Sequence, residues 1–304
     1  MSRVRRVRAE GVDLHVVEDG EPGRPPVLLV HGFPDDHEVY SRVVPELARD
    51  FHVARFDLRG VGASSAPASP SGYRIDAVIR DLDAVIDATF GTGARAHVVG
   101  HDWGSILAFS YVADAIGSTR ARSFTSVSGP HLGIAWSTML RSLRSSAHRG
   151  GALRQLASSW YTLAFHAPFA PSFLASGSGM RAMRRALIEG GVPLDDPYLD
   201  VSSLAIASRT RHAIELYRQN MLRPPPAPRA IDVPTLVVIP ERDPFVRPEV
   251  HAFLGEHAKD LEVRRLDAGH WVPRSHPRWL ASAIREFTAR VDARKRGASE
   301  EVSR

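Results

Sequence analysis

The stretch that decides the fold runs from Val98 to Ser105 and reads VVGHDWGS. Two valines lead into Gly100, and Trp103-Gly104 follow two residues later, opening the helix-like SILAFSYVADAIG. Strand, sharp turn and helix in that order are the layout of a nucleophile elbow, in which small flanking residues let the turn push its middle side chain into a cleft. That middle residue is Asp102, where many hydrolases carry serine, and no G-x-S-x-G occurs elsewhere in the chain. Two readings stand for it. Aspartate at a helix start is a good N-cap, accepting N–H groups of the first turn. A carboxylate on an elbow is also a nucleophile that is ionised near pH 7 and needs no activating base. It can attack a saturated carbon with a strained or good leaving group and become an alkyl ester. Water must then hydrolyse that ester, which calls for a separate base.

Working outward, the apolar runs PVLLVHGF, FHVARFDLRG, AHVVGHD, SFTSVSG, TLVVIPERD and LEVRRLDAG alternate with longer helix-like segments. That alternation predicts an α/β fold with a mostly parallel sheet flanked by helices. Near-continuous runs such as VLLV and TLVVI suit strands buried on both faces. After SVSGP the rhythm stops, and residues 131–230 read as helices and loops closing on the proline-stiffened RPPPAPR. Strand character resumes at Thr235. The expected organisation is therefore a core of residues 1–130 and 231–304, interrupted by an inserted helical cap at 131–230. RVRRVR near the N-terminus interleaves arginine with valine and predicts a half-buried edge hairpin. The polar tail ARKRGASEEVSR is expected to fray.

Composition narrows the chemistry. The 304 residues are 43% hydrophobic and 24% charged, as in ordinary globular proteins. Lys and Arg number 39 against 34 Asp and Glu, and only Lys259 and Lys295 are lysines. So small an excess, spread along the chain, predicts no nucleic-acid partner. Cysteine is absent, which excludes disulfides, thiolate metal sites and a cysteine nucleophile. The N-terminus has no signal-peptide core, and no apolar run nears the roughly 18 residues of a membrane span, so a cytoplasmic protein without a membrane anchor is expected. GTGARA at 91–96 fits a dinucleotide pattern but precedes a strand instead of following one. No organic cofactor or metal is expected.

The remaining parts of a hydrolytic site occur in order. Asp243 lies just past the strand-like TLVVIPE, and His270 just past LEVRRLDAG. Nucleophile, acid and histidine in that sequence match the α/β-hydrolase arrangement, in which the acid orients the imidazole that deprotonates water. Each residue has a plainer reading: Asp243 before Pro244 can start a turn, and His270 is one of 14 histidines. Upstream, HGFP places His31, Gly32, Phe33 and Pro34 at the end of the VLLV strand. This is either a strand-to-helix loop or the source of an oxyanion hole, with the Phe33 and Trp103 backbone N–H groups as donors. His31 reads as structural.

Taken together, HGFP, FDLRGVGAS, GHDWG with Gly100 and Gly104, SGP, ERD and GHWVP resemble the epoxide hydrolase family of α/β-hydrolases, and they span most of the core. The resemblance implies catalysis through Asp102, Asp243 and His270, with two cap tyrosines that hold and protonate the epoxide oxygen. IELYRQNM is similar to the segment carrying one of them and assigns Tyr217; SWYTLAFH is similar to the other and assigns Tyr161. A neutral phenol suits donation to a developing alkoxide. The implied partner is a small, hydrophobic epoxide, and the implied assembly is a monomer or homodimer. Haloalkane dehalogenases resemble the chain through the same triad, but their halide-binding Asn is replaced by Phe33, leaving Trp136 or Trp160 as candidate second donors. Fluoroacetate dehalogenases resemble it through HGFP but would carry Arg where Trp103 stands. A non-catalytic ligand-binding relative remains the alternative from another class. The second cap segment also resembles hydrolase domains that some bacterial proteins carry fused to a short-chain dehydrogenase.

Overall fold

The computed structural model describes residues 2–200, 207 and 209–302. Its eight strands are β1 (Arg3–Ala9), β2 (Val12–Asp19), β3 (Pro26–Val30), β4 (His52–Phe56), β5 (Ala96–His101), β6 (Ala121–Val127), β7 (Thr235–Pro240) and β8 (Leu261–Leu266). They form one sheet in the order β1-β2-β4-β3-β5-β6-β7-β8. The β1–β2 and β2–β4 pairs are antiparallel and the rest are parallel. All six apolar runs thus become strands, and RVRRVR becomes the edge strand of a hairpin turned at Glu10-Gly11. Its arginines stay outside while Val7 is buried, and a charged edge of this kind discourages pairing with other chains.

The central strands are buried on both faces, as their unbroken apolar runs predict. Leu28 and Val30 of β3 join one core cluster, and Val27 and Leu29 join the other. Successive strand side chains point to opposite faces, so this split follows from the two-residue period. One cluster packs beneath the helices Ile75–Phe90 and Trp103–Ala113, where Phe109 meets Phe124 edge-on at 4.6 Å. The other packs under the helix Pro277–Val302 through Leu280, Ile284 and Phe287. That helix continues through the segment expected to fray. Arg, Lys, Glu and Ala made the tail look loose, but they are also good helix formers. Residues 303–304 lie outside the described residues.

Between β6 and β7 the described residues form helices and turns, from Leu132–Arg144 through Gly177–Glu189 to Ile214–Asn220. Residues 201–206 and 208 of this insertion lie outside the described residues. The chain leaves β3 toward β4 on one side, while β5 flanks β3 on the other. Loops after β3 and β5 therefore diverge and open a crevice at the carboxyl ends of the strands, the usual position for ligands in such sheets. Phe33 follows β3 and Asp102 follows β5, so both stand at that crevice.

Candidate active site

Asp102 sits at the turn with φ 53° and ψ −122°, a backbone conformation that only a tightly constrained elbow imposes on a non-glycine residue. The constraint comes from neighbouring backbone. A Cβ on Gly104 would lie 2.0 Å from the Val30 carbonyl oxygen, and one on Gly100 would lie 2.5 Å from the Gly104 oxygen. Strand and helix can approach this closely only because neither glycine has a side chain. Gly32 is needed for the same reason on the opposite wall, where a Cβ would meet the Asp102 carboxylate at 2.3 Å.

Of the two readings of Asp102, capping fails. Its side chain makes no hydrogen bond to the first turn of the helix. Instead Oδ1 accepts the Phe33 backbone N–H at 2.7 Å, and Oδ2 lies 3.5 Å from His270 Nε2. Trp103 opens the helix, so its own N–H has no intrahelical acceptor. Pro34 follows Phe33 through a cis peptide bond. His31 is buried away from this chemistry. Its Nε2 accepts the Leu58 N–H at 2.9 Å while Nδ1 sits 2.8 Å from the Gly32 carbonyl, and burial lowers its pKa. It is a neutral strut between the loops after β3 and β4.

Asp243 makes contacts of both kinds. Oδ1 accepts N–H groups from Phe245 and Val246 at 2.8 and 2.9 Å, the hydrogen bonds of an aspartate-initiated turn. Oδ2 lies 2.8 Å from His270 Nδ1. His270 is therefore held between two carboxylates. Burial pushes its pKa down, but the Asp243 charge and the hydrogen bonds to Asp102 and Asp243 outweigh this and raise it to about 10.

Two phenols complete the crevice. Tyr217, on the helix Ile214–Asn220, meets Trp103 edge-on at 4.9 Å and Phe33 at 5.3 Å. Tyr161 lies 6.1 Å from Tyr217, ring to ring. Burial first, then nearby negative charge including that of Asp102, raises both phenols well above the usual tyrosine value. Both stay protonated at any working pH. The structure thus brings Asp102, Asp243, His270, Tyr161, Tyr217, Phe33 and Trp103 around one space.

The apolar cap stretch WYTLAFHAPFAPSFL reads either as tunnel lining or as cap-on-core packing, and its Phe165 lies at the site, whereas sequence reading missed Phe245. Phe165 packs on Tyr217 at 4.9 Å, and Phe245 on His270 at 5.2 Å, so the walls are aromatic. It also missed the support under His270. Ser128 Oγ donates to the His270 carbonyl at 3.0 Å, and His101 Nε2 lies 3.1 Å from the same oxygen. Asp35 receives the Tyr198 hydroxyl at 2.6 Å and the Trp271 indole N–H at 3.1 Å, and pairs with His101 at 3.4 Å. Burial works against the Asp35 anion, but these partners, His101 foremost, bring its pKa down to about 2. The adjacency of Asp35 to HGFP and of Trp271 to His270 was the available signal. Among the described residues, the group whose atoms could share a metal ion is His15, His37 and Asp57, within 4.8 Å of one another and apart from this site. There His37 is already held by Asp57 at 2.6 Å and Glu38 at 2.9 Å.

Comparison with known proteins was made against this geometry. A family model described as alpha/beta hydrolase fold matches residues 25–277. The chain is 34% identical over 296 residues to a probable oxidoreductase, EphD, of Mycobacterium tuberculosis, covering 94% of this chain and 49% of that protein. It therefore spans about half the length of the first curated relatives it matches. Epoxide hydrolase 3 of Mus musculus is 28% identical over 280 residues, covering 89% of this chain and 72% of the relative. Among solved structures, an epoxide hydrolase of Bacillus megaterium in complex with an inhibitor superposes with a TM-score of 0.76 at 23% identity, covering 93% and 99% of the two chains.

Proposed function

The chain belongs to the α/β-hydrolase family, and from that premise we propose that it hydrolyses epoxides to vicinal diols through a covalent ester on Asp102. The observation that carries this reading is an elbow carboxylate facing two protonated tyrosines, Tyr217 buried and Tyr161 partly buried, with a histidine–aspartate pair behind it. Relatives named as epoxide hydrolases support it.

In the first step Asp102 Oδ2 attacks a ring carbon, the C–O bond breaks, and the ring oxygen takes a proton from Tyr161 or Tyr217. Forming the ester removes the negative charge on Asp102. That charge had helped keep the phenols weakly acidic, so they become better donors as the alkoxide develops. The same event deprives His270 of one of its two anionic partners, its pKa falls, and the proton it gives up restores the phenol that protonated the ring oxygen. An imidazole that is charged in the free site becomes a base only once there is an ester to hydrolyse. In the second step His270 takes a proton from water, whose oxygen attacks the Asp102 carbonyl carbon. The Phe33 N–H, already 2.7 Å from Oδ1, and the Trp103 N–H receive the oxyanion. Collapse breaks the bond to the ester oxygen, the departing alkoxide takes the proton left on the attacking water's oxygen, and the diol leaves with Asp102 again a carboxylate and His270 an imidazolium. The helical insertion acts as the cap that carries both tyrosines and excludes bulk water.

Dehalogenation needs N–H donors at a departing halide. Trp160 is largely exposed, and the Trp136 indole N–H donates to the Met221 carbonyl, so neither serves. Parallel assays with styrene oxide, a long-chain aliphatic epoxide and 1-bromobutane test the reading. Diol from either epoxide without bromide release is expected; bromide release without diol would replace it with dehalogenation.

A further inference from the structure

We propose that the outer face of the helical insertion docks on the surface of an anionic phospholipid bilayer. Between His131 and Ile188 the sequence holds seven arginines and no Asp, Glu or Lys. The same stretch carries a cluster of exposed large apolar side chains. Leu153, Leu156, Trp160 and Leu163 are 54%, 48%, 68% and 65% exposed; Leu153 and Leu156 are three apart on the helix Arg149–Ser158, and Trp160 and Leu163 three apart on the helix Trp160–Ala164, so each pair lies on one side of its helix. Trp136, Leu140, Phe169 and Phe173 of neighbouring helices are exposed as well. A folded protein rarely leaves such a set of large side chains in water without a use for it.

Charge selects the occupant. Arg141, Arg154 and Arg185 are engaged by Glu256, Glu249 and Glu189. Arg144, Arg149, Arg181 and Arg184 have no carboxylate partner among the described residues. A second copy would bring like charges together, whereas an anionic bilayer offers opposite charge and an apolar interior within reach of the side chains. Arginine with exposed Trp, Leu and Phe is the composition of helices that lie in a membrane interface. The position fits as well. Tyr161 points inward to the aromatic site while Trp160 and Leu163, on the same short helix, point outward. On the proposed function, docking would hold the cap against the phase in which lipophilic epoxides dissolve.

Flotation of the protein with vesicles of phosphatidylglycerol and phosphatidylcholine, against vesicles of phosphatidylcholine alone, tests this. Selective binding to the phosphatidylglycerol vesicles at low salt is expected, weakening as salt rises. Leu153→Ser/Trp160→Ser and Arg144→Glu/Arg149→Glu should each reduce partitioning by about 10-fold or more. Circular dichroism of each variant reports whether the fold is kept, and diol formation from a water-soluble epoxide reports separately on the proposed reaction. Absence of binding, equal binding to both vesicle types, or folded variants that bind like the parent would overturn the proposal. So would a dimer in sedimentation that Trp160→Ser dissolves, since the face would then join two copies.

Discussion

Asp102 combines a strained backbone, a donor on one carboxylate oxygen and an imidazole near the other. Its negative charge is one of the influences that raise the His270 pKa to about 10. Asp102→Asn removes that charge, so the imidazolium loses a partner and its pKa should drop by about 1–3 pH units, read by NMR titration of the ring. An unchanged value would mean that Asp243 alone sets it. On the proposed mechanism the phenol acts only as the ring opens, so Tyr217→Phe should slow ester formation by about 10²–10⁴-fold and leave ester hydrolysis close to its normal rate. Burst and steady-state phases of diol formation separate the two steps. At this scale the sequence was informative where chemistry and spacing coincide, as at Asp102, Asp243 and His270. The contacts of Phe245 and Trp271 were not legible, because an apolar residue in a turn carries no mark of which distant side chain it will touch.

Helix and strand meet at the elbow with no space to spare. Gly104→Ala would put a methyl group 2.0 Å from the Val30 carbonyl oxygen, which belongs to a central strand and cannot yield. A loss of stability of at least about 2 kcal/mol is expected in urea denaturation, together with loss of turnover as Asp102 is displaced. Every strand expected from the apolar runs is present; β3 and β7, buried on both faces, read as near-unbroken apolar runs, while the edge strand β8 keeps an alternating, part-exposed pattern. Helix ends were less legible. The C-terminal segment looked like a frayed tail, yet the helix from Pro277 carries on to Val302, since polar helix formers and polar coil share a composition.

Across the whole molecule, the sheet order places the loops after β3 and β5 on either side of one crevice, and the insertion after β6 brings Tyr161 and Tyr217 over it. Residues 33, 102, 161, 217, 243 and 270 are spread along the chain, and the parallel sheet with its insertion brings them together. The sequence announced that organisation through the break in rhythm after SVSGP. It carried no sign of the support that Asp35, His101 and Ser128 give His270, which exists only once β3, β5 and β6 lie side by side. Whether an epoxide is carried as an ester on Asp102 is decided by single-turnover reaction of excess enzyme with an epoxide in ¹⁸O-labelled water. Mass spectrometry of the peptide containing Asp102 should show ¹⁸O in that side chain, because water attacks the ester carbonyl; label confined to the diol would contradict the ester route.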